Sequence, residues 1–179
     1  MIVKRPPPKA ANPASGGPGP ALKRSIAKDT RPPRPFTVRK LRWKDLDRIL
    51  EIERASFGAD AYDRNLFAAC LRAPSGLFLA VERARNVCGY LMASTRGVRA
   101  ELVSIAVDPP SRGQGAASVL MDSALRRLRR RGVARLSLMV KISNREAQAF
   151  YAKYAFRKVR RVRRYYEDAA DGWLMARTL

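Results

Sequence analysis

A short glycine-containing loop lies between a predicted strand and a predicted helix, and its residue types suit the binding of a diphosphate. The loop consists of Arg112, Gly113, Gln114, Gly115, Ala116 and Ala117. The first turn of a helix leaves several backbone N–H groups unpaired, and the helix dipole adds positive potential there. The glycines let an anion approach the backbone closely, the small alanines avoid crowding, and the arginine adds charge. We therefore expect a diphosphate site; the alternative is an ordinary loop before a surface helix.

Hydrophobic periodicity predicts the elements that position this loop. Helices are predicted over residues 43–57, 63–71, from the loop to about residue 132, and over 145–154. Strands are predicted over residues 36–38, 77–81, 87–92, 102–107, 133–140, 158–166 and 173–175. The three strands between residues 77 and 107 have short turns between them and suit an antiparallel meander. The order of elements predicts an α+β fold with one central sheet and helices on both faces.

The first 35 residues differ in composition from the rest of the chain. They are rich in Pro, Ala, Gly and basic residues, with Asp29 as the only acid, and Phe36 is the first aromatic residue. Such a segment buries too little apolar surface to offset the entropy lost on ordering. We predict a disordered basic tail over residues 1–35 and a single domain over residues 36–179. The tail is either an arm that docks on an anionic partner or a solubilising extension.

The chain is strongly basic, with 37 Lys and Arg against 15 Asp and Glu and a formal net charge of +22. Such a surface attracts polyanions, among them nucleic acid, ribosomes and acidic membranes. The alternative is charge spread over a solvated surface without a specific partner. A ribosome or nucleic-acid contact through the tail and the surface is therefore one of two open interpretations.

Several classes of site are excluded or disfavoured by residue counts. The chain contains no His, which excludes a histidine base or ligand, and Cys70 and Cys88 are too few to suggest a metal site. Both cysteines have apolar neighbours, so buried thiols are favoured over a disulfide. No window approaches the length of a membrane span, and the first ten residues lack the apolar stretch of a secretory signal. We expect no metal, no membrane span and a cytoplasmic location.

The loop and its surroundings resemble the GNAT superfamily of N-acetyltransferases. The strand Leu102-Val103-Ser104-Ile105-Ala106-Val107 followed by Asp108-Pro109 leads into a pattern of Arg or Gln, two residues, Gly, one residue, and Gly or Ala, which Arg112, Gly115 and Ala117 match. Asn144 and Tyr151 follow at the spacing found in that superfamily. The resemblance covers residues 36–179 and implies a mixed, mostly antiparallel central sheet flanked by helices on both faces.

The resemblance implies that acetyl-CoA is the co-substrate. In the superfamily this loop binds the CoA pyrophosphate, and backbone groups at the end of the preceding strand pair with the pantetheine arm. In this sequence the loop is Arg112–Ala117, and the strand positions are Ile105, Ala106 and Val107. The superfamily's asparagine contacts the cofactor, which implies the same for Asn144.

Acetyl transfer to an amine also needs proton transfers. Amines are mostly protonated near neutral pH, because α-amino groups have a pKa near 8 and lysine near 10.4. Glu101 resembles the glutamate that acts through water as general base in the histone-acetyltransferase branch. Tyr151, seven residues after Asn144, resembles the general acid that protonates the CoA sulfur. The alternatives are a solvated strand-end Glu101 and a core aromatic Tyr151, and a strand N–H near Val107 is expected to polarise the carbonyl.

Within the superfamily, the chain most resembles the RimI-like enzymes. These enzymes acetylate protein N-termini, especially the N-terminal alanine of a ribosomal protein. This chain departs from that branch in the strand after the cofactor helix. There Leu138-Met139-Val140 replaces the usual Leu-Glu-Val, so the base falls to Glu101 or a water chain. The loop over residues 57–62, which shapes the acceptor entrance in this branch, also lacks its usual Phe-Pro-Trp.

Three functions stay open from the sequence. The favoured one is direct acetyl transfer, in a ternary complex, to the N-terminal amine of a protein or peptide. The second is acetylation of a small amine, which the positive charge disfavours for polyamines unless the cleft is locally acidic. Glu167, Asp168 and Asp171 could supply that acidity. The third is a basic RNA- or ribosome-binding module with a degenerate cofactor site.

Overall fold

The computed structural model describes residues 3–4 and 35–179. The helices are α1 (Leu46–Phe57), α2 (Arg64–Arg72), α3 (Ala116–Arg130) and α4 (Arg145–Lys153). The strands are β1 (Val3–Lys4), β2 (Thr37–Lys40), β3 (Gly76–Arg83), β4 (Asn86–Arg96), β5 (Arg99–Val107), β6 (Arg135–Lys141), β7 (Arg157–Val162) and β8 (Gly172–Thr178). Single 3-10 turns at Trp43–Asp45, Gly58–Asp60 and Pro109–Ser111 precede α1, α2 and the cofactor loop.

The strands form one mixed sheet in the order β2-β3-β4-β5-β6-β8-β7, and β1 pairs with β5. Every neighbouring pair is antiparallel except β5 and β6. That pair is parallel because α3 carries the chain back to the starting end of the sheet before β6 begins. The predicted α+β class, with a mostly antiparallel sheet and a central meander, is confirmed.

Helices cover both faces of the sheet, as predicted. On one face α3 and α4 contribute Leu120, Leu128 and Tyr151 to a core that includes Leu102 and Leu138. On the other face α1 and α2 contribute residues such as Ile49, Ile52 and Phe67, which pack with Tyr90 and Ala106. Because successive strand residues point to opposite faces, the face of each β5 and β6 side chain follows from its neighbours.

Local sequence accounts for the ends of the helices. The Asp63 side chain accepts a hydrogen bond of 2.8 Å from Leu66 N and starts α2. Gly58 caps the end of α1 and Gly132 follows the end of α3, both at positive φ, where glycine carries no side-chain penalty. The α1 stripe of Leu46, Ile49, Leu50 and Ile52 is buried, as the sequence periodicity predicts.

The predicted tail falls mostly outside the described residues. Residues 1–2 and 5–34 are not described, so disorder there stays a prediction, whereas Val3–Lys4 form β1. Cys88 is buried and Cys70 half-buried, and both are free thiols. No helix among the described residues is long and apolar enough to cross a membrane.

Candidate active site

The start of α3 is an open, uncapped helix terminus. Gly115 is its N-cap with φ of 89°, and no side chain caps the helix there. Gly113 also has positive φ, at 71°. A Cβ added at either glycine would meet nothing within 4 Å, so the backbone conformation requires glycine while the space beside it stays open. The first-turn N–H groups therefore face a space that can admit an anion, which fits the diphosphate end of CoA.

The two long side chains of the loop hold its shape. Arg112 Nε donates to Val107 O at 2.9 Å, and Arg112 Nη2 donates to Ser56 Oγ at 3.0 Å. Gln114 Nε2 donates to Pro110 O at 2.8 Å, while Gln114 Oε1 accepts from Arg83. The loop is thus tied to β5, α1 and β3. The predicted cofactor contacts of Arg112 and Gln114 stay predictions; what the structure adds is their bracing role.

A cleft of about 400 Å³ opens between this loop and α4. Its floor is Val107 and the loop, and its far wall is one side of α4, formed by Glu146, Ala149, Phe150 and Lys153. Sequence reasoning did not select Lys153. Its spacing of four from Ala149 and three from Phe150 places it on the same helix face, which was the available signal. Lys153 adds a cation to the same cleft as the α3 terminus.

Strands β5 and β6 separate just beyond the middle of β5. Their parallel pairing runs from Arg99 with Arg135 to Leu102 with Leu138 and then stops. The predicted pantetheine positions Ile105, Ala106 and Val107 lie beyond this point and are buried. The same stretch of β5 pairs with β1, with Val3 opposite Ile105 and Lys4 opposite Ser104. Because β4 occupies the other edge of β5, β1 lies on the edge predicted for pantetheine.

Tyr151 has a buried hydroxyl with no hydrogen-bond partner among the described residues. Its side chain is fully buried, with the rings of Phe150 and Phe156 each 5.5 Å away. Burial raises the pKa of Tyr151 well above its ordinary value, and the neighbouring Tyr166 raises it further. A buried donor without an acceptor is costly unless a ligand supplies one. Tyr151 therefore holds a proton that a bound group could accept.

Asn144 is the N-cap of α4. Its Oδ1 accepts a hydrogen bond of 3.0 Å from Ala147 N. Asn144 thus lies just outside the helix that carries Tyr151 and fixes the start of α4. Contact of Asn144 with the cofactor stays a prediction.

Glu101 and Met139 lie on the same face of the sheet, the one that carries α1 and α2. Glu101 lies between Ala100 and Leu102, both in the core on the opposite face, and Met139 lies between Leu138 and Val140 in the same way. Glu101 pairs with Ser137, two residues before Met139. Strand geometry then puts the Cα atoms of Glu101 and Met139 roughly 8 Å apart. Glu101 is half-buried, whereas Met139 is buried.

Tyr166 lies close to both Gly172 and Tyr151. A Cβ added at Gly172 would lie 2.7 Å from Met139 Cε and 3.3 Å from Tyr166 Cε2, so both side chains crowd this glycine. Tyr166 also acts electrostatically on Tyr151. Burial, then the charges of Tyr165 and Asp168, raise the pKa of Tyr166 above its ordinary range. Met139 and Tyr166 thus form an apolar wall at Gly172, and Tyr166 is near enough to Tyr151 to affect its titration.

Lys141 forms ion pairs with two acidic residues near this wall, Asp60 and Asp168. Its Nζ lies 2.8 Å from Asp168 and 3.6 Å from Asp60, and 5.1 Å from the centre of the Tyr166 ring. Burial lowers the pKa of Lys141, but its hydrogen bond with Asp168 and the charges of both acids outweigh this and raise it. The loop after α1 and the connection between β7 and β8 therefore meet at one ammonium group, which no sequence pattern had singled out.

Glu101 and Tyr151 thus lie on opposite faces of a sheet that opens where the β5–β6 pairing ends, and the uncapped start of α3 follows the loop after β5. No group of three or more potential metal-ligating side chains occurs within the described part of the chain. A fold and site of this kind define an acetyl-CoA-dependent acyltransferase.

Comparisons with known proteins agree with this class. The profile of the "Acetyltransferase (GNAT) family" matches residues 43–156. An "N-alpha-acetyltransferase" of Saccharolobus solfataricus is 30% identical over 82% of this chain and 95% of that protein. A "[Ribosomal protein bS18]-alanine N-acetyltransferase" of Haemophilus ducreyi is 29% identical over 72% of this chain and 87% of its own length.

A solved structure extends the match to three dimensions. The crystal structure of the ribosomal-protein-S18-alanine N-acetyltransferase from Escherichia coli superposes with a TM-score of 0.75, at 27% identity. The superposition covers 80% of this chain and 93% of that one. The chain belongs to the GNAT acetyltransferase family. It is an acetyl-CoA-dependent N-acetyltransferase and resembles the RimI-like branch, as the sequence predicted.

Proposed function

We propose that this enzyme acetylates the N-terminal α-amine of a protein or peptide, by direct attack of the amine in a ternary complex. The observation that carries the proposal is the placement of two groups that could transfer protons. Glu101 is on the α1–α2 face of the sheet, Tyr151 is buried on the α3–α4 face, and the pairing of β5 with β6 ends at Leu102 and Leu138.

The proposed role of Glu101 is to accept, through water, the proton of the acceptor ammonium, so that the nitrogen becomes a nucleophile. Acetyl-CoA supplies the thioester carbonyl that the nitrogen attacks. As the C–S bond breaks, Tyr151 Oη gives its proton to the departing sulfur, and a strand N–H near Val107 stabilises charge on the carbonyl oxygen. The raised pKa of Tyr151 keeps this proton in place at neutral pH.

Cofactor binding is assigned to two groups of residues. The backbone of Ile105, Ala106 and Val107 would pair with the pantetheine arm, because it lies beyond the last β5–β6 pair. The diphosphate would bind at the uncapped start of α3 and its loop, with Asn144 adding a contact from the start of α4. The residues of the loop are Arg112, Gly113, Gln114, Gly115, Ala116 and Ala117.

The charges near the apolar wall of Met139 and Tyr166 argue against polyamines as acceptors. Asp168 is bound to Lys141, and Asp171 accepts hydrogen bonds from Arg161 Nε at 2.7 Å and Arg164 N at 2.8 Å. Two of the three acids that the sequence offered as a cationic subsite, Asp168 and Asp171, are thus already paired with basic groups. A protein N-terminus carries one positive charge, which makes a smaller demand on the site. The relatives named as N-alpha- and bS18-alanine N-acetyltransferases support the same acceptor class.

The test is mass-spectrometric detection of acetylated products from purified full-length enzyme and acetyl-CoA. The panel contains peptides with different first residues, including alanine, the same peptides with a blocked N-terminus and an internal lysine, and small amines including spermidine. We expect acetylation of free N-termini and little of blocked peptides. Preferential acetylation of a small amine or of internal lysine would instead assign another acceptor class.

A further inference from the structure

Strand β7 and the two residues after it form an unusually basic edge of the sheet. Over residues 157–164, six of eight side chains are basic, five Arg and one Lys, and all six are exposed. Among the described strands β7 pairs only with β8, so its other edge is free of strand pairing there. We call this surface the basic edge; it consists of Arg157, Lys158, Arg160, Arg161, Arg163 and Arg164.

Only part of this charge is paired within the described part of the chain. Arg161 pairs with Asp171, and Lys158 lies 4.9 Å from the Trp173 ring centre. Arg163 also acts on Asp171 through its charge, whereas Arg157 and Arg160 make no ion pair or hydrogen bond with another described residue. Charged side chains on an edge strand hinder unwanted strand pairing, which accounts for some basic residues on β7. Edge protection requires charge but not the phosphate-binding geometry of arginine, which five of these six residues supply.

The positive surface continues past the start of β7. Arg157 is opposite Ala176, and the next residue, Arg177, is close enough to Arg129 of α3 for the two charges to interact. Burial first, and then the charge of Arg129, lower the pKa of Arg177. Like charges that remain this close repel one another unless an anion neutralises them. The surface therefore fits an extended polyanion better than a single small anion.

The chemistry of the basic edge favours phosphate. Arginine presents a planar fork that binds phosphate oxygens in pairs, and five of the six residues are arginine. Residues two apart on a strand are roughly 7 Å apart, so the edge offers a row of guanidinium groups along an extended backbone. Val159 is its only large exposed apolar residue, too little for anchoring in a membrane.

We propose that the basic edge binds the phosphate backbone of RNA without reading its sequence. The edge leads through Arg164 directly into Tyr165 and Tyr166, and Tyr166 forms the apolar wall with Met139. RNA on the edge would therefore lie beside the acceptor entrance. From that position, bound RNA would favour acceptor proteins that are themselves bound to RNA. This preference rests on the proposed function, whereas RNA binding itself does not.

The experiment measures fluorescence anisotropy of a short labelled RNA of mixed sequence with the full-length protein, between 50 and 200 mM salt. The variant R157Q/R160Q/R163Q removes three charges from the basic edge. Its matched control, R85Q/R96Q/R126Q, removes three exposed charges elsewhere. For the edge variant we expect the salt slope of log K to fall by about 2 and Kd to rise about tenfold, since each single-stranded phosphate contact contributes about 0.7. The control should change Kd much less.

Equal weakening by the two variants would overturn the proposal, because net charge or the tail would then explain the binding. It would also be overturned if the edge variant lost binding to vesicles containing phosphatidylserine but bound RNA normally. Both variants should keep wild-type thermal stability and wild-type acetylation of free peptide. Retained acetylation with altered RNA binding separates this proposal from the proposed function, and unchanged RNA binding in the folded edge variant contradicts it.

Discussion

Gly115 and Gly132 mark the two ends of α3 in matching conformations. Their φ values are 89° and 72°, and a Cβ at either position would meet nothing within 4 Å. The two glycines therefore carry the same backbone demand, but only Gly115 lies at the proposed diphosphate site. This makes them a matched pair for separating backbone strain from ligand binding.

We expect Gly115→Asp to lower CoA affinity by at least about tenfold, or roughly 1.4 kcal/mol. The new carboxylate would repel phosphate, whereas the helix dipole would favour it in the free protein, so loss of stability should be modest. Calorimetry with CoA measures the affinity. Gly132→Asp, with comparable strain at the other end of the helix, should bind CoA as the wild type does. Equal affinity losses in both variants would remove the loop from the cofactor site.

Tyr151→Phe should separate activity from stability. The hydroxyl has no protein partner in the described region, so its removal should not destabilise the fold. If it is the general acid, kcat should fall by about 100-fold with acetyl-CoA binding retained. Tyr154→Phe is the control, because that hydroxyl donates to Ser118 O at 3.2 Å outside the opening. A kcat within about twofold of wild type would make Tyr151 a core aromatic.

The pairing of Val3 with Ile105 predicts competition at the edge of β5. Strand β1 occupies backbone that the pantetheine arm would use, and one strand edge cannot pair with both. Deleting residues 1–4 should therefore lower KM for acetyl-CoA, while kcat at saturation stays the same. Steady-state kinetics with varied acetyl-CoA measures this. An unchanged KM would show that β1 does not occupy the cofactor edge in solution.

Much of the fold could be predicted from local sequence patterns. The stripe of Leu46, Ile49, Leu50 and Ile52 predicted α1, and the glycine loop predicted the start of α3, because each signal lies within a few residues. The pairing of β1 with β5 could not be predicted, since two residues in a polar, proline-rich segment carry no periodicity. Strand boundaries near β7 also shifted: the predicted strand 158–166 ends at Val162, where Asp171 ties the following turn to Arg161 and Arg164.

The sequence predicted which residues belong to the candidate site better than it predicted the contacts that those residues make. Arg112, Gln114 and Asn144 were selected as cofactor residues, and their observed hydrogen bonds to Val107, Pro110 and Ala147 hold the loop and helix in place. Such bracing depends on tertiary neighbours, which no motif spacing contains. The meeting of Lys141 with Asp60 and Asp168 was missed for the same reason, because those residues are far apart in sequence.

The central chemical claim is that Glu101 acts as the general base. In the RimI-like branch a glutamate usually occupies the position that is Met139 in this chain. The decisive measurement is kcat/KM against pH for an N-terminal peptide acceptor, with wild type, Glu101→Gln and Glu101→Gln/Met139→Glu. The single variant should be slow near pH 7 and recover toward the amine pKa near 8, because the nucleophile then loses its proton unaided. The double variant, with a carboxylate one strand away on the same face, should regain part of the loss at pH 7. Full activity of Glu101→Gln at pH 7, or an equal loss at every pH, would contradict the assignment of Glu101 as the base.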